Sequence, residues 1–254
     1  MAIKPLYNGK RLKVKDKLLI DSEGEMWYPT NGESITGNWG RFSMTSLLLI
    51  RHGQTAWNRE EIFRGRIDVP LDETGWKQAQ LLGERLREWP LRAVYSSPLS
   101  RARETAEAVA APHGLPVQIA AELTDLDFGE WQGKPHEQVQ REYPDLYLQW
   151  QQAPHRVKMP GGESLAQVRA RALSAVERLA AQGDGLLAVV SHRVVLKVLF
   201  CALLGLDNAH FWRVRLDTGG MSMFSLAEPG WVLDFANDLA HLQPLGVPQK
   251  KVDF

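Results

Sequence analysis

Residues 46–58 read SLLLIRHGQTAWN, an apolar run that is followed at once by Arg51 and His52. A second apolar run, Leu186–Val190 (LLAVV), is followed in the same way by Ser191 and His192. Continuous apolar runs of this length are typical of strands that are covered on both faces in a parallel sheet. Because ligands bind at the carboxyl ends of such strands, both histidines are expected at one functional edge.

The segments around these runs alternate between strand and helix patterns. Thr74–Trp89, which includes Trp76, and Glu163–Ala181 place apolar residues on one face and are predicted to be covering helices. This alternation predicts an α/β fold, a three-layer α/β/α sandwich with a mostly parallel central sheet. The other predicted strands are Arg92–Tyr95, Val117–Ala120, Met221–Leu226 and Trp231–Phe235, and the other predicted helices are Ser100–Ala111, His136–Gln152 and Arg193–Leu204.

Residues 1–43 differ in character from the rest, with several glycines and aromatic residues among short polar stretches. Their pattern predicts short strands, with a hairpin of Leu12–Ile20 and Glu25–Tyr28 around Asp21–Gly24. We therefore expect an N-terminal extension, residues 1–43, of unassigned role and one domain over residues 44–254. The extension either mediates formation of a homodimer or precedes a natural start at Met44.

Composition limits the classes of function. Among 254 residues, 30 Lys and Arg balance 30 Asp and Glu, which predicts neither a nucleic acid nor a membrane surface as partner. The single cysteine, Cys201, excludes a disulfide framework and a cysteine-based zinc site. No apolar run has the length of a membrane span or a secretory leader. A cytoplasmic protein is expected.

Two further strand ends add polar residues to the functional edge. Arg101 comes soon after the strand Arg92–Tyr95, and Asp125 comes soon after Val117–Ala120. The edge then holds two histidines, two arginines and a carboxylate. Such a set suits phosphoryl transfer, which depends mainly on positioning and on positive charge against the phosphoryl oxygens.

Each of these residue types has a role in that chemistry. Arg51 and Arg101 present planar N–H forks to the phosphoryl oxygens. His192, at the first turn of a helix, adds to an anion site. His52 is the candidate nucleophile because imidazole is substantially neutral near pH 7. Asp125 is the candidate acid that protonates the leaving oxygen and later deprotonates the attacking water.

An ordered set of motifs over about residues 45–242 resembles the histidine phosphatase superfamily, in its phosphoglycerate-mutase-like branch. One such motif would be a weak signal, whereas the ordered set is specific. The motifs are LLLIRHGQTAWN (47–58), GRIDVPLDETG (65–75), SSPLSRARETAE (96–107), ELTDLDFGEWQG (122–133), PGGES (160–164), VSHRVV (190–195) and NDLAHL (237–242).

The resemblance implies a phosphoglycerate-mutase-like fold and a phosphomonoesterase that works through a phosphohistidine on His52, without metal or cofactor. Arg51, Arg101 and His192 would form the phosphate pocket, and Asp125 would be the proton donor. The acid motif and PGGES look like those of α-ribazole phosphatases and broad-specificity bacterial phosphatases. A small phosphorylated metabolite is therefore expected as substrate, with α-ribazole 5′-phosphate as one candidate. The residues implied on the substrate side are Asn58, Gln54, Arg64, Gly65, Glu163 and Arg193.

Two positions depart from the family pattern. Asp125 stands where many members have glutamate, so that the acid is one methylene shorter and its reach depends on the loop that carries it. Arg193 replaces a small residue after the second histidine. This extra cation either binds a second anionic group of the substrate or pairs with Glu130 or Glu163.

Three alternative functions remain open. A phosphoglycerate mutase would use the same site, but the segment between Asp125 and His192 is short and shows no paired basic cluster for a bisphosphate. A non-catalytic binding protein on this fold would be free to lose a site residue, whereas the set is intact. A metal-dependent hydrolase would use the histidines and Asp125 as ligands, although two arginines at the same point would repel a cation.

Overall fold

The structure, a computed structural model, describes residues 45–228 and 230–246, together with the backbone of five short strands before residue 45. The chain divides into two compact units, Met1–Met44 and Thr45–Phe254. In the first unit β1 pairs with β2, and β3, β4 and β5 form an antiparallel sheet. The hairpin expected here is present between β4 and β5, but its first arm is divided into β3 and β4. The strands are β1 (Leu6–Tyr7), β2 (Lys10–Arg11), β3 (Lys13–Lys15), β4 (Leu18–Ile20) and β5 (Met26–Trp27).

A six-stranded sheet forms the centre of the second unit. Its strands are β6 (Thr45–Arg51), β7 (Leu91–Ser96), β8 (Val117–Ile119), β9 (Gly185–Ser191), β10 (Met221–Ala227) and β11 (Gly230–Asp238). The strand order is β11-β10-β6-β9-β7-β8. Strands β6, β9, β7 and β8 are parallel to one another, whereas β10 is antiparallel to β6 and β11. The prediction of a mostly parallel α/β sheet is confirmed.

Helices cover both faces of this sheet, with α2 packed against α3 and α6 against α7. Among the described residues, none of the helices combines the length and the apolar character that crossing a membrane requires. The helices are α1 (Ala56–Arg59), α2 (Glu73–Leu86), α3 (Ser100–Ala110), α4 (His136–Glu142), α5 (Pro144–Gln152), α6 (Leu165–Ala180) and α7 (Arg193–Leu203).

Two details of the helix predictions were wrong. The segment 136–152 was expected to be one helix, but it breaks at Tyr143, which lies outside helical geometry at φ −134° and ψ 56°. A residue before proline is disfavoured in the α region, and Pro144 therefore starts a new helix. Trp76 was expected on the buried face of α2, yet it is 42% exposed, because the buried stripe of this helix runs through other positions.

The apolar runs of β6 and β9 lie wholly in the core, which is why they contain no alternating polar residues. The loop that follows β6 lies directly on the first turn of α2. A Cβ atom on Gly75 would stand 2.1 Å from the backbone oxygen of Gln54, so this contact requires glycine. Asp72 caps α2 by accepting a hydrogen bond from the Gly75 amide at 2.9 Å, and its own amide donates to the Gln54 carbonyl at 3.0 Å. The beginning of α2 thus holds the loop in place.

Candidate active site

The carboxyl ends of β6, β9 and β7 meet at one edge of the sheet, as the sequence predicted. The His52 amide donates to the Ser191 carbonyl at 3.0 Å, which continues the β6–β9 ladder past the end of β6. The Ser97 amide donates to the Val190 carbonyl at 3.1 Å and does the same for β7. The residues just beyond these strands are therefore held by backbone hydrogen bonds.

His52 is buried and keeps one ring nitrogen for chemistry. Its Nδ1 lies 2.7 Å from the Gly53 carbonyl oxygen. A carbonyl oxygen only accepts hydrogen bonds, so Nδ1 carries the ring hydrogen and Nε2 carries the lone pair. Burial, together with the positive charges of Arg101 and Arg51, holds the pKa of His52 well below its ordinary value. The side chain is therefore a neutral imidazole at pH 7.

His192 lies beside His52, with 5.2 Å between the two ring centroids. It occupies the N-cap position of α7, and its Nε2 is 2.7 Å from the Ser97 hydroxyl. Burial is the largest cause that holds the pKa of His192 well below its ordinary value, and the charge of Arg101 adds to it. The first turn of α7 and its dipole favour an anion next to this ring.

Two buried guanidinium groups accompany the histidines. Arg51 donates from Nη1 to the Leu216 carbonyl at 2.7 Å. Arg101, in the first turn of α3, donates from Nη2 to the Gly65 carbonyl at 2.8 Å and from Nη1 to the Ile67 carbonyl at 3.1 Å. These carbonyls fix the planes of both guanidinium groups but do not neutralise their charge. Asp125, 3.4 Å from Arg101, offsets part of that charge, and an anion between the histidines would be attracted to both groups.

Asp125 is a buried carboxylate that lies near both an arginine and a histidine of this cluster. Its Oδ1 accepts a hydrogen bond from the Leu126 amide at 2.9 Å. Its Oδ2 lies 3.4 Å from Arg101 Nη2 and 3.8 Å from His192 Nδ1. One oxygen is therefore used to orient the side chain, and the other faces the histidine and arginine cluster.

An open cleft of about 470 Å³ adjoins the cluster and includes Asp125 in its wall. Arg64 also lines it, and burial and the charges of Arg51 and Arg101 lower the pKa of Arg64 to about 9. The Nδ2 donor of Asn58 is buried, and none of the residues that the structure describes accepts a hydrogen bond from it. The lining residues are Trp57, Asn58, Glu61, Ile62, Phe63, Arg64, Gly65, Asp125, Phe128, His136, Arg193 and Val194.

The structure brings most of the proposed substrate-side residues to this cleft. Asn58, Arg64, Gly65 and Arg193 all line it. Gly65 has a φ of +53°, and a Cβ there would stand 2.2 Å from the Gln132 side chain, so glycine is required.

Gln54 and Glu163 are placed elsewhere. The Gln54 side chain donates from Nε2 to Asp72 Oδ2 at 3.0 Å, which directs it toward the start of α2. Glu163 forms a bidentate pair with Arg171, at 3.0 and 2.9 Å, and accepts a hydrogen bond from the Asp127 amide. Neither residue is among those that line the cleft. Both side chains are bound to polar groups that lie outside their own motifs, and the motifs did not reveal these partners.

Sequence reasoning missed three residues at or beside the site. Ser97 contacts His192 and follows β7 directly, so the strand-end argument could have identified it. His136 lines the cleft and stacks on Phe63 with 4.1 Å between ring centroids, but as a lone histidine it carried no signal. Arg171 lies in the segment between Asp125 and His192, where the sequence shows no paired basic cluster, and it binds the loop that carries Asp125.

The arrangement is suited to a dianionic phosphoryl group. Two neutral histidines stand beside buried guanidinium groups, and a carboxylate lies on the side of the cleft. In the ranges 45–228 and 230–246, no group of three or more His, Cys, Asp or Glu side chains stands ready to hold a metal ion. The chemistry that these groups offer is nucleophilic attack on phosphorus, charge stabilisation and proton transfer.

Known proteins are similar to this chain in both sequence and fold. The sequence profile of the Histidine phosphatase superfamily (branch 1) matches residues 47–239. Phosphoserine phosphatase 1 of Hydrogenobacter thermophilus is 36% identical over 200 residues, 78% of this chain and 95% of that protein. YhfR of Bacillus stearothermophilus has a TM-score of 0.75 at 32% identity and covers 78% of this chain and 99% of its own. The α-ribazole phosphatase of Shigella flexneri has a TM-score of 0.71 at 30% identity, over 76% of this chain and 96% of its own. The chain belongs to the histidine phosphatase superfamily.

Proposed function

We propose that this phosphatase hydrolyses small phosphomonoesters through a phosphohistidine intermediate on His52. The observation that carries the proposal is the hydrogen bond from His52 Nδ1 to the Gly53 carbonyl at 2.7 Å. It directs the ring lone pair to Nε2, and the lowered pKa of His52 keeps that lone pair free of a proton at pH 7. Arg51 and Arg101 supply the positive charge that the phosphoryl group requires.

The reaction has two balanced steps. In the first, Nε2 of His52 forms a bond to phosphorus, the P–O ester bond breaks, and Asp125 gives its proton to the departing oxygen. The alcohol leaves, and the phosphoryl group remains on the ring. In the second, Asp125 takes a proton from water, the water oxygen bonds to phosphorus, and the P–N bond breaks. Inorganic phosphate leaves, and both side chains return to their starting state.

The cleft is the proposed site for the group that the ester carries. It is open to solvent and combines aromatic walls with charged residues, as small-molecule sites do. Arg64 and Arg193 favour a substrate that has a second anionic group besides the phosphate. Relatives named for phosphoserine and α-ribazole phosphate make these esters the first candidates to test.

The experiment measures phosphate release from p-nitrophenyl phosphate, phosphoserine, α-ribazole 5′-phosphate and 3-phosphoglycerate, without added metal. We expect turnover of at least one ester, which a chelator leaves unchanged and which His52→Ala lowers by at least about 10³-fold. His210→Gln is the matched control, because His210 pairs with Asp207 away from the cleft. We also expect the wild type, but not His52→Ala, to carry an acid-labile phosphoryl group after rapid quenching.

Other outcomes would refute the proposal. If His52→Ala leaves phosphate release unchanged, a phosphohistidine intermediate on His52 is excluded. Loss of activity with a chelator would favour a metal-dependent hydrolase. Isomerisation of 3-phosphoglycerate without net phosphate release would favour the mutase.

A cytoplasmic location and a homodimer are further proposals. A single cysteine that is buried and free, Cys201, supports a reducing compartment.

A further inference from the structure

The ion pair of Arg171 with Glu163 binds the backbone of the loop that carries Asp125. Arg66 and Arg178 pair with acidic side chains of the same loop, Asp127 and Glu122. Arg171 Nη1 donates to the Glu122 carbonyl at 2.5 Å and to the Thr124 carbonyl at 2.6 Å. Its Nη2 donates to the Asp125 carbonyl at 3.0 Å. A single guanidinium group thus binds three carbonyls within four consecutive residues.

Glu163 completes this arrangement from the other end of the loop. It holds Arg171 in a bidentate pair, and its Oε2 also accepts a hydrogen bond from the Asp127 amide at 3.0 Å. Burial raises the pKa of Glu163, but the hydrogen bonds from Arg171 and the Asp127 amide outweigh it and leave the pKa below its ordinary value. The carboxylate is therefore charged at neutral pH. The pair binds the loop backbone both before and after Asp125.

The PGGES segment brings Glu163 to this position through close backbone contact. A Cβ atom on Gly162 would stand 2.3 Å from the Asp127 carbonyl oxygen, so only glycine permits this approach. Gly129, at φ +52°, meets the same segment, and a Cβ there would be 2.0 Å from the Pro160 oxygen. The two glycine-containing loops therefore fit together as one unit.

The Asp125 side chain has little freedom to compensate for a displacement of this loop. An aspartate has one methylene fewer than a glutamate, so its carboxylate follows the backbone closely. One of its oxygens already binds the Leu126 amide. A shift of the loop would move Oδ2 away from its place 3.4 Å from Arg101 and 3.8 Å from His192. Displacements of about 1 Å are enough to weaken catalysis strongly.

We propose that Arg171 and Glu163 are positioning residues that hold Asp125 in place as the general acid. This inference rests on the proposed function, in which Asp125 protonates the leaving oxygen. It assigns the glutamate of PGGES to the acid loop, whereas the sequence had suggested a contact with substrate.

The test compares kcat/KM for phenyl phosphate with kcat/KM for p-nitrophenyl phosphate. Phenol, with a pKa near 10 like tyrosine, needs a proton as it leaves, whereas the more acidic p-nitrophenol needs it much less. We expect Arg171→Lys and Glu163→Gln to lower kcat/KM for phenyl phosphate about tenfold more than for p-nitrophenyl phosphate, since general acid catalysis contributes about 10²–10⁴-fold.

Two further variants make the result decisive. Asp125→Asn gives the reference, and it should show the same selective loss in larger degree. Arg178→Lys is the matched control, because Arg178 on the same helix binds the exposed side chain of Glu122 and not the loop backbone. We expect its ratio of the two kcat/KM values to equal that of the wild type.

Failure of the two proposals can be told apart. Suppose that Asp125→Asn lowers kcat/KM selectively for phenyl phosphate, but Arg171→Lys and Glu163→Gln lower kcat/KM equally for both substrates. The pair is then merely structural, and the inference is wrong. If Asp125→Asn lowers kcat/KM equally for both substrates, the general-acid role of Asp125 is itself wrong. Thermal unfolding of each variant identifies any that do not fold, and Glu163→Gln, which preserves volume, keeps the test available if Arg171→Lys is one of them.

Discussion

His52 shows how a single side chain is prepared for its role by its surroundings. Its hydrogen bond to the Gly53 carbonyl selects the tautomer, and burial with the nearby cations lowers its pKa. The same cations would attract the phosphate that the ring is proposed to attack. The arginines that help to keep the imidazole neutral are therefore the same ones that are proposed to bind the substrate.

We expect Arg64→Gln to raise the pKa of His52, because the charge of Arg64 is one of the causes that lower it. In the wild type the ring should protonate only well below pH 6.5, and in the variant it should protonate at a higher pH. Titration of the histidine ring nitrogens by NMR measures this directly. Arg59→Gln is the control, since Arg59 is exposed and pairs with Asp72. An unchanged titration in Arg64→Gln would contradict the electrostatic explanation.

The 3₁₀-helix Ala240–Leu245 supports the site from the C-terminal side. His241 Nε2 lies 3.0 Å from the Gly219 carbonyl, which makes Nε2 the donor. The Gly219 amide in turn donates to the carbonyls of Arg51, at 3.1 Å, and of His52, at 3.2 Å. This short element therefore stabilises the backbone that bears His52.

Burial lowers the pKa of His241 to about 4, so the folded protein resists its protonation. As pH falls below about 6.5 the unfolded chain binds a proton first, and stability is progressively lost down to about pH 4. This histidine alone should contribute about 3 kcal/mol to that loss. His241→Gln retains a donor for Gly219, and we expect its unfolding free energy to fall less steeply with pH than that of the wild type. Urea unfolding between pH 7.5 and 4.5 measures both slopes; equal slopes would refute this contribution.

The whole chain consists of two compact units, and every proposed site residue belongs to the second. The family match also lies entirely within it, over residues 47–239. Met1–Met44 form the other unit, which contains short antiparallel strands and lies outside the residues that the family profile matches. Catalysis and the N-terminal unit are thus expected to be separable.

We expect a chain of residues 44–254 to keep kcat/KM within about twofold of the full-length protein, because a domain with its own core folds by itself. Sedimentation of both chains tests dimerisation at the same time. A monomeric short chain beside a dimeric full-length protein would assign dimerisation to residues 1–43. A large loss of activity in the short chain would show that catalysis does need the N-terminal unit.

Much of the fold could be predicted because its signals are local. The runs in β6 and β9 are apolar at every position since both faces are covered, and α6 shows its buried stripe at helical spacing. Strand ends in a parallel sheet share an edge, so the sequence alone brought His52 and His192 together. The ordered motifs then identified the family, which the comparisons confirmed.

Only the tertiary structure decided where the remaining polar side chains point. Glu163 binds Arg171 and the Asp127 amide, and Gln54 binds Asp72, although both were expected to contact substrate. Their partners come from other segments of the chain, and such pairings depend on how the segments pack. The spacing of apolar residues is a property of residues that are close in sequence. The partner of a polar side chain, in contrast, depends on how separate loops pack against each other in the folded protein.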